Sequence, residues 1–125
     1  IDPEPIMTSH RLKPDMSTPV VVGDRVFCVH RMLIGLDLGD ELREIKRRRD
    51  AALGDYGSII ASDTHLLIVG KGELLLVDVR GEPQIVSRSK VFDEKVVLFS
   101  HPALVGKRLF IRGENSVKCI LLSQR

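Results

Sequence analysis

Three segments of the chain repeat one plan, and that repetition limits the folds open to it more than any single motif. "TPVVVGDRVFCV" from Thr18, "GSIIASDTHLLIV" from Gly57 and "HPALVGKRLFIR" from His101 each hold a short apolar run, a turn and a second apolar run. Aligned on Pro19, Ser58 and Pro102, the copies stand 39 and 44 residues apart, close to the roughly 40–45 residues of a four-stranded propeller blade. The turns are Gly23-Asp24, Ser62-Asp63-Thr64 and Gly106-Lys107, where glycine tolerates positive φ and Asp hydrogen-bonds its own backbone. A third apolar run follows each hairpin: "MLIGLDL" at Met32, "ELLLVDV" at Glu73 and "SVKCILL" at Ser116. Residues 70–72 and 113–115 form the turns before the last two.

Near-continuous Val, Leu and Ile implies strands buried on both faces, as stacked sheets require and a single solvated sheet does not. With 125 residues, 43% of them hydrophobic, the chain suits one domain with an ordinary core. The expectation is an all-β fold, a β-propeller-type stack of four-stranded antiparallel blades with about three blades and an incomplete ring. Its parts are a leading outer strand and linker over 1–17, blades over 18–54 and 55–95, and an incomplete blade over 96–125. In the second copy the fourth strand is "PQIVSRSKV", which opens on a proline suited to an outer edge. In the first copy the equivalent is "ELREIKRRR", residues 41–49, and two readings compete for it. Asp40 could cap a helix carrying Leu42, Ile45, Ala52 and Leu53, stopped by Gly54, with Glu44 and Arg48 paired at i, i+4. The repeat register instead makes it a strand, and that reading is preferred. "PIMTSHRLK", residues 5–13, resembles a fourth strand without a blade of its own, whereas the third copy lacks one. Copies joined head to tail, with residues 5–13 of one beside residues 116–122 of the next, would complete the blade, so a homodimer by strand exchange is expected.

The charge balance of 19 basic against 17 acidic residues, a net +2, excludes a strongly basic nucleic-acid or anionic-membrane binder. "KRRRD", Lys46 to Asp50, reads as a solvated outer strand and loop, without the aromatics that accompany nucleic-acid binding. No apolar stretch approaches the roughly 20 residues of a membrane span. Cys28 and Cys119 lie in the apolar runs "VFCV" and "VKCILL" and are expected to be buried free thiols. His10, His30, His65 and His101 lack metal-ligand spacing, and no nucleophile elbow, phosphate loop or Cys-His arrangement occurs. The chain opens on "IDPEPIM" without a legible signal peptide, which leaves the compartment open. The remaining candidates are Tyr56, Ser58, Ser100 and His101, at the starts of two innermost strands where a channel end would lie. The plainer reading of these four is strand-end hydrogen bonding.

"LIGLDLGDELREIKR" resembles the repeat of the pyrroloquinoline-quinone-like, or quinoprotein-alcohol-dehydrogenase-like, propellers, with Gly35, Leu36 and Asp37 matching the strand that closes on Asp. "TPVVVGDRVFCV" and "HPALVGKRLFIRG" are similar to that family's Ser/Thr-Pro-Val-Val, Gly-Asp, Arg-Val-apolar segment. The chain departs from the pattern at the docking Trp, whose place Arg43 takes, in the shortened turn Leu38-Gly39, and at Leu121, which stands where the Asp belongs. The resemblance implies the propeller fold and an extracytoplasmic setting. Family enzymes stack the quinone on aromatics at the centre of eight blades, but this chain has four Phe, one Tyr and no Trp, so no cofactor is expected. Two functions stay open: a structural or protein-binding scaffold, which is preferred, and a part of a larger propeller enzyme whose active site lies mostly outside this chain.

Overall fold

The computed structural model describes residues 1–12, 17–93 and 100–123. They form three antiparallel sheets and no α-helix. The first sheet is a meander of β1 (Val20–Val22), β2 (Arg25–Val29), β3 (Leu33–Asp37) and β4 (Arg43–Glu44). The second repeats it with β5 (Ser58–Ala61), β6 (His65–Gly70), β7 (Glu73–Asp78) and β8 (Gln84–Lys90). The third holds β9 (Ala103–Val105), β10 (Arg108–Arg112) and β11 (Val117–Leu121).

The hairpin turns follow from their residues. Gly23 and Gly106 both sit at φ +58°, a conformation that L side chains resist. The closing pairs are Val22 with Arg25 and Val105 with Arg108. In the second hairpin Ser62 N–H donates to the His65 carbonyl at 2.9 Å, so the two-residue turn there is Asp63-Thr64, one residue beyond the alignment of the first copy. The third strands end alike. Asp37 Oδ1 accepts from Gly39 N–H and Asp78 Oδ1 from Arg80 N–H, each at 2.9 Å, and residues 38–42 and 79–83 then lead into β4 and β8.

Residues 41–49 are no helix. A single 3₁₀ turn (Leu38–Asp40) and two residues with positive φ, Glu41 and Leu42, deliver the chain to β4. Beyond β4, Ile45 N–H donates to the Gly35 carbonyl, and Arg48 bridges to Leu33 with one residue bulged out between. β8 carries the same device between Leu76 and Val77 of its partner strand, and such bulges blunt an edge strand. The expected Glu44–Arg48 helical pair is replaced by Glu44 with Arg47.

Alternation along each strand gives every sheet two faces. The forward face of the first sheet, with Val22, Phe27, Val29 and Leu33, packs on the rear face of the second, with Ile59, Leu66, Ile68, Leu75 and Val77. The second sheet's forward face, with Val69 and Leu74, packs on the third sheet's rear face, with Leu109 and Ile111. Adjacent residues of β6 therefore serve different cores, which is why that strand reads as continuous apolar sequence. Polar ties bind the first interface. The Arg25 guanidinium donates to the carbonyls of Val79 and, at 2.8 Å, Gly81. Arg88 meets Asp50 at 2.5 Å and Lys46 meets Glu82 at 3.3 Å.

Two expectations are corrected. Residues 5–12 form no strand. None of the described strands pairs with this segment; near its end Arg11 acts on the Glu44 carboxylate, and beyond it the Ser17 carbonyl accepts from Cys28 Sγ at 3.7 Å on the rear of the first sheet. Lys13, the last residue of the expected strand, lies outside the described residues, as do residues 94–99 of the second and third blade segments. The cysteines also differ from expectation. Both are free, and Cys28 is buried, but Cys119 is exposed on the third sheet's forward face, where no described strand packs.

Candidate functional site

Tyr56 and Ser58 come together at the start of β5, with Tyr56 Oη and Ser58 Oγ 3.1 Å apart. Beside them the β2–β3 loop crosses to the linker. Arg31 N–H donates to the Gly54 carbonyl at 2.7 Å, and Arg31 Nε donates to Asp55 Oδ1 at 2.8 Å, which holds the Asp55 carboxyl below the usual range. Ser17 Oγ accepts from Gly57 N–H at 3.2 Å. His30 Nδ1 is buried without a hydrogen-bond partner among the described residues. These contacts tie strand ends and backbone across the first two sheets. Ser100 and His101 precede β9, and neither makes a hydrogen bond or ion pair with a described residue. The four expected residues thus divide into one bonded pair and one separate dipeptide.

A group that sequence reading missed stands on the second sheet's forward face. His65 and Asp78 are cross-strand partners, with Nε2 and Oδ2 4.0 Å apart, and Thr64 Oγ1 holds His65 Nδ1 at 2.7 Å. Arg80 Nε contacts both Asp78 oxygens at 3.1 and 3.0 Å. Its guanidinium and backbone N–H hold the Asp78 carboxyl well below the usual carboxylate range. The signal was available only as register: His65 and Asp78 face each other once the two turns are placed.

His65 borders a cavity of about 720 Å³ between the second and third sheets, walled by aliphatic groups including Leu67, Leu74, Leu76, Leu104 and Ile120. That volume lies in the ordinary range for a ligand pocket. Among the described residues no Phe, Tyr or Trp lines it. No group of three or more His, Cys, Asp or Glu converges as a metal site among the described residues, and no helix is long and apolar enough to cross a membrane.

The third sheet's forward face is the other unusual surface. Phe110 occupies the place of Phe27, yet Phe27 is 0% exposed and Phe110 37%. Val105, Val117 and Leu121 on the same face are 65%, 66% and 64% exposed. Arg108 and Arg112 of β10 flank them, and neither guanidinium makes a hydrogen bond or ion pair with a described residue. β11 is the edge of its sheet, whereas β3 and β7 at the equivalent place each have a fourth strand beside them. A comparison with protein-family models and with curated proteins finds no match to this chain.

Proposed function

We propose that this chain is a non-catalytic, protein-binding scaffold, a β-propeller-type stack of the pyrroloquinoline-quinone-like repeat kind whose third sheet receives a polypeptide partner. The observation that carries the reading is the forward face of that sheet: an apolar strip of Val105, Phe110, Val117 and Leu121, with two arginine side chains that have no partner among the described residues, and an open strand edge. Contiguous apolar surface of this kind marks interaction sites, and an unpaired edge accepts an added strand. The succession of meanders, forward face on rear face, and the contact of β1 with β5 support the propeller-type reading. The partner chemistry is an extended segment or sheet face with apolar groups and carboxylates.

Panning a displayed library of extended peptides on the folded chain tests the reading. Recovered binders should be rich in apolar and acidic residues, should protect the β10 and β11 amides from exchange, and should be lost on Phe110→Arg. Recovery of no binder, or protection confined to the first sheet, would refute it.

A further inference from the structure

The amino-terminal segment of the chain has the properties that the open edge of the third sheet lacks. Ile6 is 96% exposed and Met7 is also exposed, so residues 2–7, "DPEPIM", bury little where they lie. In an extended strand the N–H and C=O of one residue point to one edge and those of the next to the other. Asp2, Glu4 and Ile6 would present donors and acceptors along one edge, while Pro3 and Pro5 leave the opposite edge without N–H groups at those positions. Such a segment pairs on one side and blocks further growth on the other, as an outermost strand must.

Side-chain chemistry matches the same docking. With Asp2 and Glu4 on the forward side, their carboxylates would stand two inter-strand spacings, roughly 10 Å, from the backbone of β10. Arg and Glu side chains together span that distance to Arg108 and Arg112. The first two sheets each place an acid opposite the basic residue that opens the second strand, Asp37 opposite Arg25 and Asp78 opposite His65. In the third sheet the residue opposite Arg108 is Leu121, so the acid must come from elsewhere. On the rear side Pro3, Pro5 and Met7 would lie beside Ile120 and Leu122 at the mouth of the cavity, in the role that Ile85 of β8 fills against the first core.

Position points to the third sheet of another copy. Ser17 and Arg11 lie toward the rear of the first sheet, and the chain's own third sheet stands beyond the second, two sheet spacings or roughly 20 Å forward. From the scaffold reading and this geometry we infer that residues 2–7 pair with β11 of a second copy of this chain, supplying the fourth strand of its third sheet in a head-to-tail assembly.

Light scattering after size exclusion at micromolar concentration, with amide exchange, tests the inference on the full chain, Asp2→Lys/Glu4→Lys, Arg108→Glu/Arg112→Glu and the fourfold variant. The expected results are a mass above the 14.0 kDa monomer, monomers for both double variants with unchanged circular dichroism, and recovery of the assembly in the fourfold variant. A mixture of the two double variants should form a hetero-assembly, because opposite charges then meet between chains. A wild-type monomer overturns the inference, and protection of residues 2–7 in that monomer assigns the strand to its own chain. If β11 still captures library peptides while the chain stays monomeric, the scaffold reading stands and this occupant falls.

Discussion

Gly70 is the position at which the packing of the first two sheets makes its sharpest demand on sequence. It ends β6 on the second sheet's rear face, where the linker of the first sheet passes backbone to backbone. A Cβ at Gly70 would press well inside contact distance of the Ala52 carbonyl oxygen and stand 3.1 Å from its carbon. No flexible side-chain end can yield there. Ala52 and Leu53 are 1% and 5% exposed and belong to the first core, so relief requires moving packed backbone by a distance on the order of 1 Å. Overpacking of that kind costs about 1–3 kcal/mol, and with backbone as the obstacle Gly70→Ala should lie near the top, at about 2–3 kcal/mol. For a chain of this size each kcal/mol shifts the melting midpoint by about 4 °C, so a fall of roughly 8–12 °C is expected.

Two other glycines separate this steric cause from the alternatives. A Cβ at Gly106 meets nothing within 4 Å, but φ there is +58°, so Gly106→Val isolates backbone strain and should cost about 1–2 kcal/mol. Gly81 has open space and no positive φ, and Gly81→Ala should change stability by no more than about 0.5 kcal/mol. Thermal and urea melts by circular dichroism rank the three. If Gly70→Ala melts with Gly81→Ala, the close approach of linker and β6 is wrong.

Arg25→Met should lower stability by about 1–2 kcal/mol, because the carbonyls of Val79 and Gly81 lose a charged donor while the apolar stem is kept; a urea titration that leaves the midpoint unmoved would discard the tie. Neutralising Arg47, Arg48 and Arg49 together should change stability by less than about 1 kcal/mol, since these exposed groups make at most surface pairs, and a larger loss in the same titration would contradict their exposure. In the folded chain one thiol, Cys119, should react quickly with an aromatic disulfide reagent while Cys28, buried and with its thiol pushed up by burial, waits for unfolding; two fast thiols would contradict the packing of the first sheet. The Asp78 carboxyl is depressed in the folded state, so its contribution is fully present above the ordinary aspartate range near pH 4 and declines as pH falls below it. Asp78→Asn should flatten that acid limb in urea midpoints measured against pH, and an unchanged slope would remove Arg80 as the cause.

Local chemistry made part of this fold legible. Gly23 and Gly106 announced their turns because an L side chain resists the backbone they adopt. The segment after β3 was harder. Its Glu, Leu and Arg content favours a helix locally, and what overrides that preference is tertiary: Ile45 lies over the bare backbone of Gly35 and Arg48 bonds Leu33. Exposure was the least legible property. "VKCILL" and "LFIR" carry the same apolar signal as "VFCV" and "LLIV", and only the presence or absence of a neighbouring sheet decides whether Cys119 and Phe110 are covered. The cavity has no sequence signal either, since its walls come from two sheets whose separation depends on packing between them.

A direction runs through the stack, and it bears on why the third sheet looks unfinished. In the first sheet the basic residue that opens the second strand, Arg25, reaches forward past the interface to carbonyls in the loop after β7. In the second, His65 holds that position and borders the cavity together with Leu122 and Ser123, the segment after β11. Each forward face therefore addresses the end of the next sheet's third strand, first by direct hydrogen bonds and then across a gap. Arg108 repeats the position with no sheet ahead of it among the described residues and with Leu121, not an acid, opposite it. Two more exposed arginines elsewhere on the surface would need no explanation, but Arg108 and Arg112 bracket Phe110 on the face that in both preceding sheets is an interface. A charge-flanked apolar strip at the place where packing has twice occurred is the surface a third packing event would use, and this is why substitutions at Phe110, Arg108 and Arg112, rather than at Tyr56 or His101, are the ones expected to change what the chain binds.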